Sequence, residues 1–543
     1  MDQKTNYVPI ASYEPKCPQD VKKVVLLYSG GLDTSVMLKW IQDTYKAEVI
    51  ALCIDIGQQV DDLKAIKQKA LDLGAVKSIV IDAKDIFAEK YISRGIKANA
   101  SYQGNYHMST PIGRPLLAKL AIQVAAEEKA DTIAHGCTGK GNDQVRIEGT
   151  AVTLNPDIKI IAPVRAWGMG RDEEIEYAKK HNIPISHTSD KPYSCDDNMW
   201  GATWEGGEIE NPELIPPLEN FLQVCNLPSK APDEERIVKL EFVKGLPVAL
   251  DGEEMKLSEL IIKLNKIAGE YGIGVSHHIE DRVVGLKVRG VYEMPAAHTI
   301  IEAHRNLEKF VCTRLENKFK TLIDQEWAYN CYGGLWYEPL MADLSGFIDK
   351  MNEKVNGEVT LRMYKGNLEV VALKTPDALF NEKLATFMKC DLFNQNASPG
   401  FIELWTLPMK MAKQTKKNIL FSVYDDALRA DLLPQIKVLR DLGCDIYATE
   451  KTSKFLDKND VQNHFVYKIS EDGTPNISTL VRGRRFDLII NIKDGNESEQ
   501  VNFDADEIRQ QAVRHNVHLV TDIGVAKDIL KKLQESIEDK GWN

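Results

Sequence analysis

Ser29-Gly30-Gly31-Leu32-Asp33-Thr34-Ser35 stands between an apolar run, Val24-Val25-Leu26-Leu27-Tyr28, and a segment with Met37, Leu38 and Ile41 at helical spacing. No other feature constrains the fold as strongly. An unbroken apolar run of strand length is expected of a strand buried in a parallel sheet. Paired glycines let the backbone turn through positive φ and approach a ligand closely. The amides that follow, at the start of a helix, form a pocket for an anion. Ser29, Thr34 and Ser35 add hydroxyl donors, and Asp33 can orient the loop or hold Mg2+ through water. A plain glycine turn with an Asp or Thr helix cap is the alternative. The order strand, loop, helix favours a nucleotide site. The loop is not of the Walker kind, because no Gly-x-x-x-x-Gly-Lys-Ser/Thr occurs.

Strand and helix signals keep alternating beyond the loop. Val49 to Ile54, Ser78 to Ile81, Thr132-Ile133-Ala134 and Ile160-Ile161-Ala162 read as strands. Arg114 to Lys129 reads as a helix with Leu116, Leu120 and Val124 on one face. The pattern predicts a doubly wound parallel α/β sheet that binds ligands at the carboxyl ends of its strands. Residues 1–22 form a polar lead-in with Pro9, Pro15 and Pro18, and 23–185 are expected to be the nucleotide-binding domain. The texture then changes. Ser194 to Pro217 is rich in Gly, Trp, acidic residues and Pro, and 186–412 reads as a second, α+β domain. Lys413-Gln414-Thr415-Lys416-Lys417 looks like a linker. Alternation restarts with Ile419 to Val423, a helix bearing Leu432, Ile436 and Leu439, the strand Asp487 to Asn491, and a last helix from about Asp522. That is a third, small α/β domain over 413–543. Three domains agree with 543 residues at roughly 100–200 residues each.

Composition narrows the function class. The 68 Lys and Arg against 80 Asp and Glu give a net charge of −12, which argues against a surface built to grip nucleic acid. No stretch approaches the ~18 apolar residues of a membrane helix, so no membrane partner is expected. Met1-Asp2-Gln3-Lys4-Thr5-Asn6 has no apolar core or cleavage site of a secretory signal. The nine cysteines are scattered singly with no Cys-x-x-Cys. They point to reduced thiols in the cytoplasm rather than a disulfide framework or a protein-held metal.

Ser-Gly-Gly-x-Asp-Thr-Ser resembles the pyrophosphate loop of the N-type ATP pyrophosphatases. In that superfamily the loop holds the β,γ-pyrophosphate while a substrate oxygen attacks the α-phosphorus, and the product is an adenylate. Members include amidotransferases, tRNA thiolases and synthetases. The lead-in is too short for a glutaminase domain, and cysteine pairs suited to sulfur relay are missing. A second loop, His135-Gly136-Cys137-Thr138-Gly139-Lys140-Gly141-Asn142-Asp143-Gln144-Val145-Arg146, follows a predicted strand and so lies beside the first. Thr138, Asn142 and Asp143 offer partners for a zwitterionic amino acid, and Arg146 offers a fork for a carboxylate.

From about Val24 to Met411 the chain closely resembles the argininosuccinate synthase family. The likeness rests on Tyr28 to Ser35, Asp55-Ile56-Gly57-Gln58, Gly139 to Asp143, Ser194-Cys195-Asp196-Asp197-Asn198 and Arg289-Gly290-Val291-Tyr292-Glu293. It implies that Tyr28, Ser29, Gly30, Gly31, Leu32, Asp33, Thr34, Ser35, the backbone near Ile54 and Gly136 bind ATP. It implies that Thr138, Asn142 and Asp143 take aspartate. Citrulline would be surrounded by Tyr106, Thr110, Asn142, Arg146, Ser194, Thr203, Glu280 and Tyr292. Asp33 and Asp143 are the implied catalytic acids. The family further implies ATP with Mg2+ as the substrate complex, no tightly bound cofactor, and a cytoplasmic homotetramer with neither nucleic acid nor membrane as partner. Two departures stand out. Ser109-Thr110-Pro111 replaces a small residue followed by two hydroxyl residues, so Pro111 cannot supply its hydroxyl. Pro408 is expected to interrupt the helix by which such synthases embrace a neighbouring subunit.

Such synthases usually end soon after the second domain, and this chain continues. Ile419 to Val423, Leu442 to Thr452, Pro475-Asn476 and Leu488 to Asn491 resemble the methylglyoxal-synthase-like fold, above all the regulatory domain of carbamoyl phosphate synthetase. The likeness implies an anionic effector at Thr449, Thr452 and Asn491, with Lys451 adding charge. Glu471 to Asn476 departs from the Gly-Gly-Asp catalytic loop of methylglyoxal synthase, so that activity is not expected. Regulation and a role in assembly both stay open for this domain. For the whole chain, two competing readings are an adenylating enzyme acting on tRNA and a non-catalytic metabolite sensor.

Overall fold

The computed structural model describes residues 10–59, 62–184, 192–385, 393–413, 417–493 and 499–540. The chain divides into two compact units, Met1–Ala385 and Thr386–Asn543. In the first unit β1 (Lys23–Leu27), β2 (Glu48–Asp55), β3 (Lys77–Asp82), β4 (Thr132–Ala134) and β5 (Lys159–Ile161) form a parallel sheet in the order β3-β2-β1-β4-β5. Central β1 shows why its sequence is apolar throughout. Val24 and Leu26 enter the core on one face and Val25 the core on the other, and all three are fully buried. The chain moves outward from β1 to β3 and then returns to lay β4 on the opposite flank of β1. At such a switch in winding, the loops leaving β1 and β4 part and open a crevice.

The helix expected from Arg114 begins earlier, over Ser109–Glu127. Met108 before it takes a left-handed φ of 60° and turns the chain into the helix. Pro111 sits in the first turn, where its missing N–H has no acceptor to lose. Prolines at 111 and 115 are what hid this start in the sequence.

Strands β6 (Tyr193–Asn198), β7 (Gly201–Gly206), β8 (Arg236–Val243), β9 (Leu246–Leu250), β10 (Glu253–Glu254), β11 (Val275–Asp281), β12 (Lys287–Glu293), β13 (Gly357–Tyr364) and β14 (Asn367–Lys374) follow. They build two antiparallel sheets, β11-β12-β7-β6 and β10-β9-β8-β13-β14, with helices including Pro295–Val311 and Arg314–Tyr332. One continuous core joins Val25 and Ile50 of the parallel sheet to Trp200, Phe242, Ile300 and Trp327. The nucleotide-type sheet and the α+β part therefore share their packing. The lead-in contributes as well: the Tyr13 carbonyl accepts from the Ile160 amide at 3.0 Å, on edge strand β5.

In the second unit β15 (Asn418–Val423), β16 (Asp445–Ala448), β17 (His464–Phe465), β18 (Leu488–Ile492) and β19 (His518–Val520) form a parallel sheet ordered β17-β16-β15-β18-β19. Its crevice lies at the ends of β15 and β18. The helix Ser398–Lys413 runs through Pro408, contrary to the expected interruption. Proline deprives only one carbonyl, that of Leu404, of its helical donor. Leu404 is 73% exposed, so water can replace the donor. Residues 414–416 of the expected linker lie outside the described residues. Among the described residues no helix is long and apolar enough to cross a membrane.

Candidate active site

The loop leaving β1 is shaped by its glycines and hydroxyls. Gly30 has φ +82°, and a Cβ there would stand 2.8 Å from Ile66, so both space and conformation demand glycine. The Ser35 hydroxyl donates to the Gly31 carbonyl at 2.7 Å and meets the Tyr28 hydroxyl at 3.1 Å. Ser29 and Thr34 hydroxyls lie 3.2 Å apart across the loop mouth. Lys69 donates to the Gly30 carbonyl at 2.8 Å and so fixes that turn of the loop. Leu32 and Asp33 open the helix Leu32–Tyr45. The first amides of a helix have no acceptor within it and suit an anion.

The loop leaving β4 is pinned from behind. Gln144 donates to the carbonyls of Gly139 and Gly141 at 2.7 and 3.2 Å. His135 Nδ1 accepts from the Cys137 amide at 3.2 Å, so the ring proton sits on Nε2 and points at Glu148, 3.0 Å away. Glu148 also accepts from Tyr13 at 2.8 Å and pairs with Arg165 at 2.7 Å. The lead-in thus reaches the site through one buried carboxylate.

Opposite these loops stands one face of the sheet β11-β12-β7-β6. Asp196, Thr203 and Tyr292 form a single cross-strand row, since Asp196 pairs with Thr203 and Thr203 with Tyr292. Alternation puts Ser194 and Glu205 on the same face. Glu280, four residues beyond the Ser276 that pairs with Tyr292, faces the same way. A cavity of about 320 Å³ lies between this face and the β4 loop. Tyr106, Thr110, Thr138, Asn142, Asp143, Arg146, Ser194, Thr203, Glu280 and Tyr292 all line it, so the residues expected around the two amino acids converge. A second cleft of about 380 Å³ carries Tyr28, Ser29, Thr34, Ile54 and Gly136. Gly30, Gly31, Leu32, Asp33 and Ser35 belong to the same loop without lining that cleft. Arg114, Gly136, Cys137 and Asp196 line both cavities, which therefore share a wall.

Charge inside the cavity is closely arranged. Arg114 pairs with Asp143 at 2.8 Å and with Asp196, and Arg146 pairs with Asp143 at 2.9 Å. Burial alone would raise Asp143, but the two guanidiniums hold its carboxyl below the usual range. Arg146 also donates to the Tyr332 carbonyl at 2.9 Å and stacks on the Tyr332 ring, while its buried Nη2 has no partner among the described residues. Burial raises Glu280, opposed by Arg146. Burial, with Glu280 nearby, pushes the Tyr106 hydroxyl to about 12, so it stays protonated. The Asn142 amide donates to the Tyr332 hydroxyl at 2.8 Å, and its oxygen accepts from the Val283 amide at 2.9 Å. Thr110 lines the cavity where Pro111 offers no hydroxyl, while buried Ser109 does not line it; both hydroxyls lie near Thr203 Oγ1, at 3.4 and 3.3 Å. Burial raises the thiol of Cys137, and desolvation with the neighbouring Asp197 and Asp196 raises that of the more exposed Cys195, so both thiols bordering the cleft stay protonated.

Sequence reasoning missed Arg114, Asp196, Glu205 and Arg282 as cavity residues. Asp196 lay within a quoted motif, and its place two residues after Ser194 on a strand was a usable signal. In the second unit, Thr449, Lys451 and Asn491 line a small cleft of about 70 Å³ with Ser422, Lys468 and Lys493. Thr452 does not reach it: its buried hydroxyl donates to the Val423 carbonyl at 3.1 Å. Asn491 already accepts from Arg509 at 2.9 Å.

A phosphate loop at the switch point of a parallel sheet, sharing a wall with an ion-paired cavity sized for amino acids, defines a nucleotide-dependent enzyme acting on small zwitterions. The comparisons make the class specific. Residues 23–184 match the arginosuccinate synthase N-terminal HUP domain and 193–412 the arginosuccinate synthase C-terminal domain. The chain belongs to the argininosuccinate synthase family, a family of ligases. The argininosuccinate synthase of Pyrococcus furiosus is 48% identical over 417 residues, which cover 77% of this chain and 100% of the relative. That of Oceanobacillus iheyensis is 47% identical, covering 73% and 96%. Residues 431–521 match the MGS-like domain. Among solved structures, the U34-tRNA thiolase NcsA from Methanococcus maripaludis aligns over 32% of this chain and 60% of its own, at 23% identity and a TM-score of 0.22. That likeness is too slight to bear on fold or function.

Proposed function

We propose that the chain joins L-citrulline to L-aspartate at the cost of ATP, through a citrullyl-adenylate, and releases pyrophosphate and AMP. The observation that carries this reading is the wall shared by the phosphate-loop cleft and the amino-acid cavity at Gly136 and Arg114. A ligase that adenylates one amino acid and attacks it with another needs three ligands in contact, and this geometry allows it.

The ureido oxygen of citrulline is a poor nucleophile and its carbon a poor electrophile. Attack of that oxygen on the α-phosphorus forms the O–P bond and expels pyrophosphate, with ATP entering as its magnesium complex. The loop amides from Ser29 to Thr34 take up the charge that develops on the departing pyrophosphate, and Asp33 holds the loop and its ion. Tyr106, Thr110, Ser194, Thr203, Glu280 and Tyr292 fix citrulline, with Arg146 as the fork for its carboxylate. Thr138, Asn142 and Asp143 orient aspartate so that its amine meets the activated carbon. Most of the rate gain then comes from placement and fixed charge. Support for these roles lies in the convergence of the residues on one cavity.

The same reading takes residues 23–185 as the ATP pyrophosphatase domain, 186–412 as the synthetase domain and 413–543 as a regulatory domain. It takes the working form as a cytoplasmic homotetramer. The test is pyrophosphate release from ATP with citrulline, followed by AMP release on adding aspartate. Asp33→Ala and Ser29→Ala should abolish the first step while leaving the fold intact. Unchanged release in these variants, or ADP as the spent product, sinks the reading.

A further inference from the structure

Aspartate's nitrogen must shed a proton as it attacks, and the cavity holds two carboxylates near that point. We propose that Asp196, rather than Asp143, is the group that accepts this proton. The inference rests on the ligase reading above.

Position favours Asp196. It lines both the amino-acid cavity and the phosphate-loop cleft, whereas Asp143 lines only the former. The adenylyl group must straddle the shared wall, and so must the nitrogen that displaces it. Asp196 also shares a cross-strand row with Thr203 and Tyr292, which fixes its direction into the cavity. Thr110 Oγ1 approaches its Oδ2 at 3.5 Å.

Partner counting separates the two acids further. Asp143 is engaged by two guanidiniums, Arg114 at one oxygen and Arg146 at the other. Each oxygen keeps a lone pair with which to accept from an amine, but the two guanidiniums hold its proton affinity low, which makes it an orienting group. Among the described residues Asp196 has a single cationic partner, Arg114, which it shares with Asp143, besides the long contact from Thr110. The charges facing it are Arg114 and Asp143 from their two helices, Asp197 on its own strand and Glu205 on β7. Arg282 partly neutralises Glu205, at 2.5 Å. The Asp196 side chain keeps 40% of its exposure; desolvation at the cavity wall, opposed by Arg114 and reinforced by the three carboxylates, raises it to about 6. A carboxylate there is ionised at neutral pH and still basic enough to take a proton.

The step balances. Aspartate's ammonium first yields one proton to water; the lone pair of the free amine then forms the new C–N bond, the C–O bond to the adenylyl group breaks, and its electron pair leaves on AMP. The proton from the attacking nitrogen passes to an Asp196 oxygen, and Arg114 keeps its pair with Asp143 throughout.

Two readouts on the full chain test this. Citrulline-dependent exchange of labelled pyrophosphate into ATP reports the first step, and argininosuccinate formation reports both. Asp196→Asn should lower overall turnover at least 100-fold, the scale of general-base catalysis, while lowering exchange less than tenfold. Asp196→Glu should recover part of the turnover with a displaced acid limb in its pH profile. The wild-type limb should fall below about pH 6 and be missing from Asp196→Asn. Equal losses in both readouts, with Asp196→Glu as poor as Asp196→Asn, would make Asp196 structural and overturn the proposal. So would turnover of Asp196→Asn within tenfold of wild type. A wild-type enzyme without exchange would instead sink the ligase reading, and the proposal with it.

Discussion

Lys320 is buried with two acids around it. Its ammonium pairs with Glu308 at 2.9 Å and Asp324 at 2.7 Å, and Asn99 donates to both carboxylates. Burial, opposed by Lys320 and reinforced by Glu308, pushes Asp324 up to about 7. A carboxyl raised on folding supports the folded state fully below its unfolded pKa, near 4, and loses that support as pH rises through about 7. Asp324→Asn removes the excess charge and keeps one of the two oxygens that accept from Lys320. Melts at pH 5 and 8 should show the variant at least as stable as wild type at pH 8, by about 1 kcal/mol, with the gain gone at pH 5. A wild type that gains on the variant as pH rises would contradict this. At this scale the sequence was legible where function sits in short motifs. Arg114 and Asp196 were not, because their pairing joins residues 82 apart and no local spacing announces it. The contact of Ser109 with Thr203 was equally invisible, since it joins residues 94 apart.

The five strands of the first parallel sheet, and β15 and β18 of the second, were legible almost to the residue, because burial on both faces makes them apolar runs bounded by polar ends; the short strands β16, β17 and β19 were not named. The antiparallel sheet that presents Asp196, Thr203 and Tyr292 was not, since cross-strand rows depend on register between distant segments. Prolines misled twice, at the start of Ser109–Glu127 and at Pro408. The helix through Pro408 leaves Phe401, Leu404 and Trp405 60%, 73% and 60% exposed. Phe401, Leu404, Pro408 and Met411 recur at helical spacing, so the apolar groups form a stripe. A stripe of this kind, inside the family-matched segment ending at 412, suits a second copy of the chain. Phe401→Lys with Leu404→Lys should convert the expected tetramer to smaller species in light scattering. Unchanged mass would remove this helix from the assembly.

At the scale of the whole chain, two parallel sheets share one winding. Each runs outward over three strands, then returns to the opposite flank of its first strand. Each should therefore bind at the ends of its first and fourth strands, and only the chemistry of the loops differs. In the first unit that place carries the glycine pair and an ion-paired cavity. In the second it carries Thr449 at a helix start, Lys451, Lys468 and Lys493, in a small open cleft whose charge suits an anionic group. Glu450, Glu471 and Asp504 border the same cleft, so the positive charge is partly answered within the unit. A ligand held there would be recognised by one anionic group, its remainder lying outside. If this unit regulates the ligase, phosphate-bearing nucleotides and arginine-pathway metabolites should shift the KM for citrulline or aspartate by about fivefold or more. Thr449→Val with Lys451→Ala should erase that shift and leave the rate without effector unchanged, because neither residue touches the ligase cavity. Inorganic phosphate should compete with the effector in wild type alone. A wild-type chain whose kinetics ignore the whole panel would leave assembly as this unit's task. A response that survives in the double variant would move the effector to another surface.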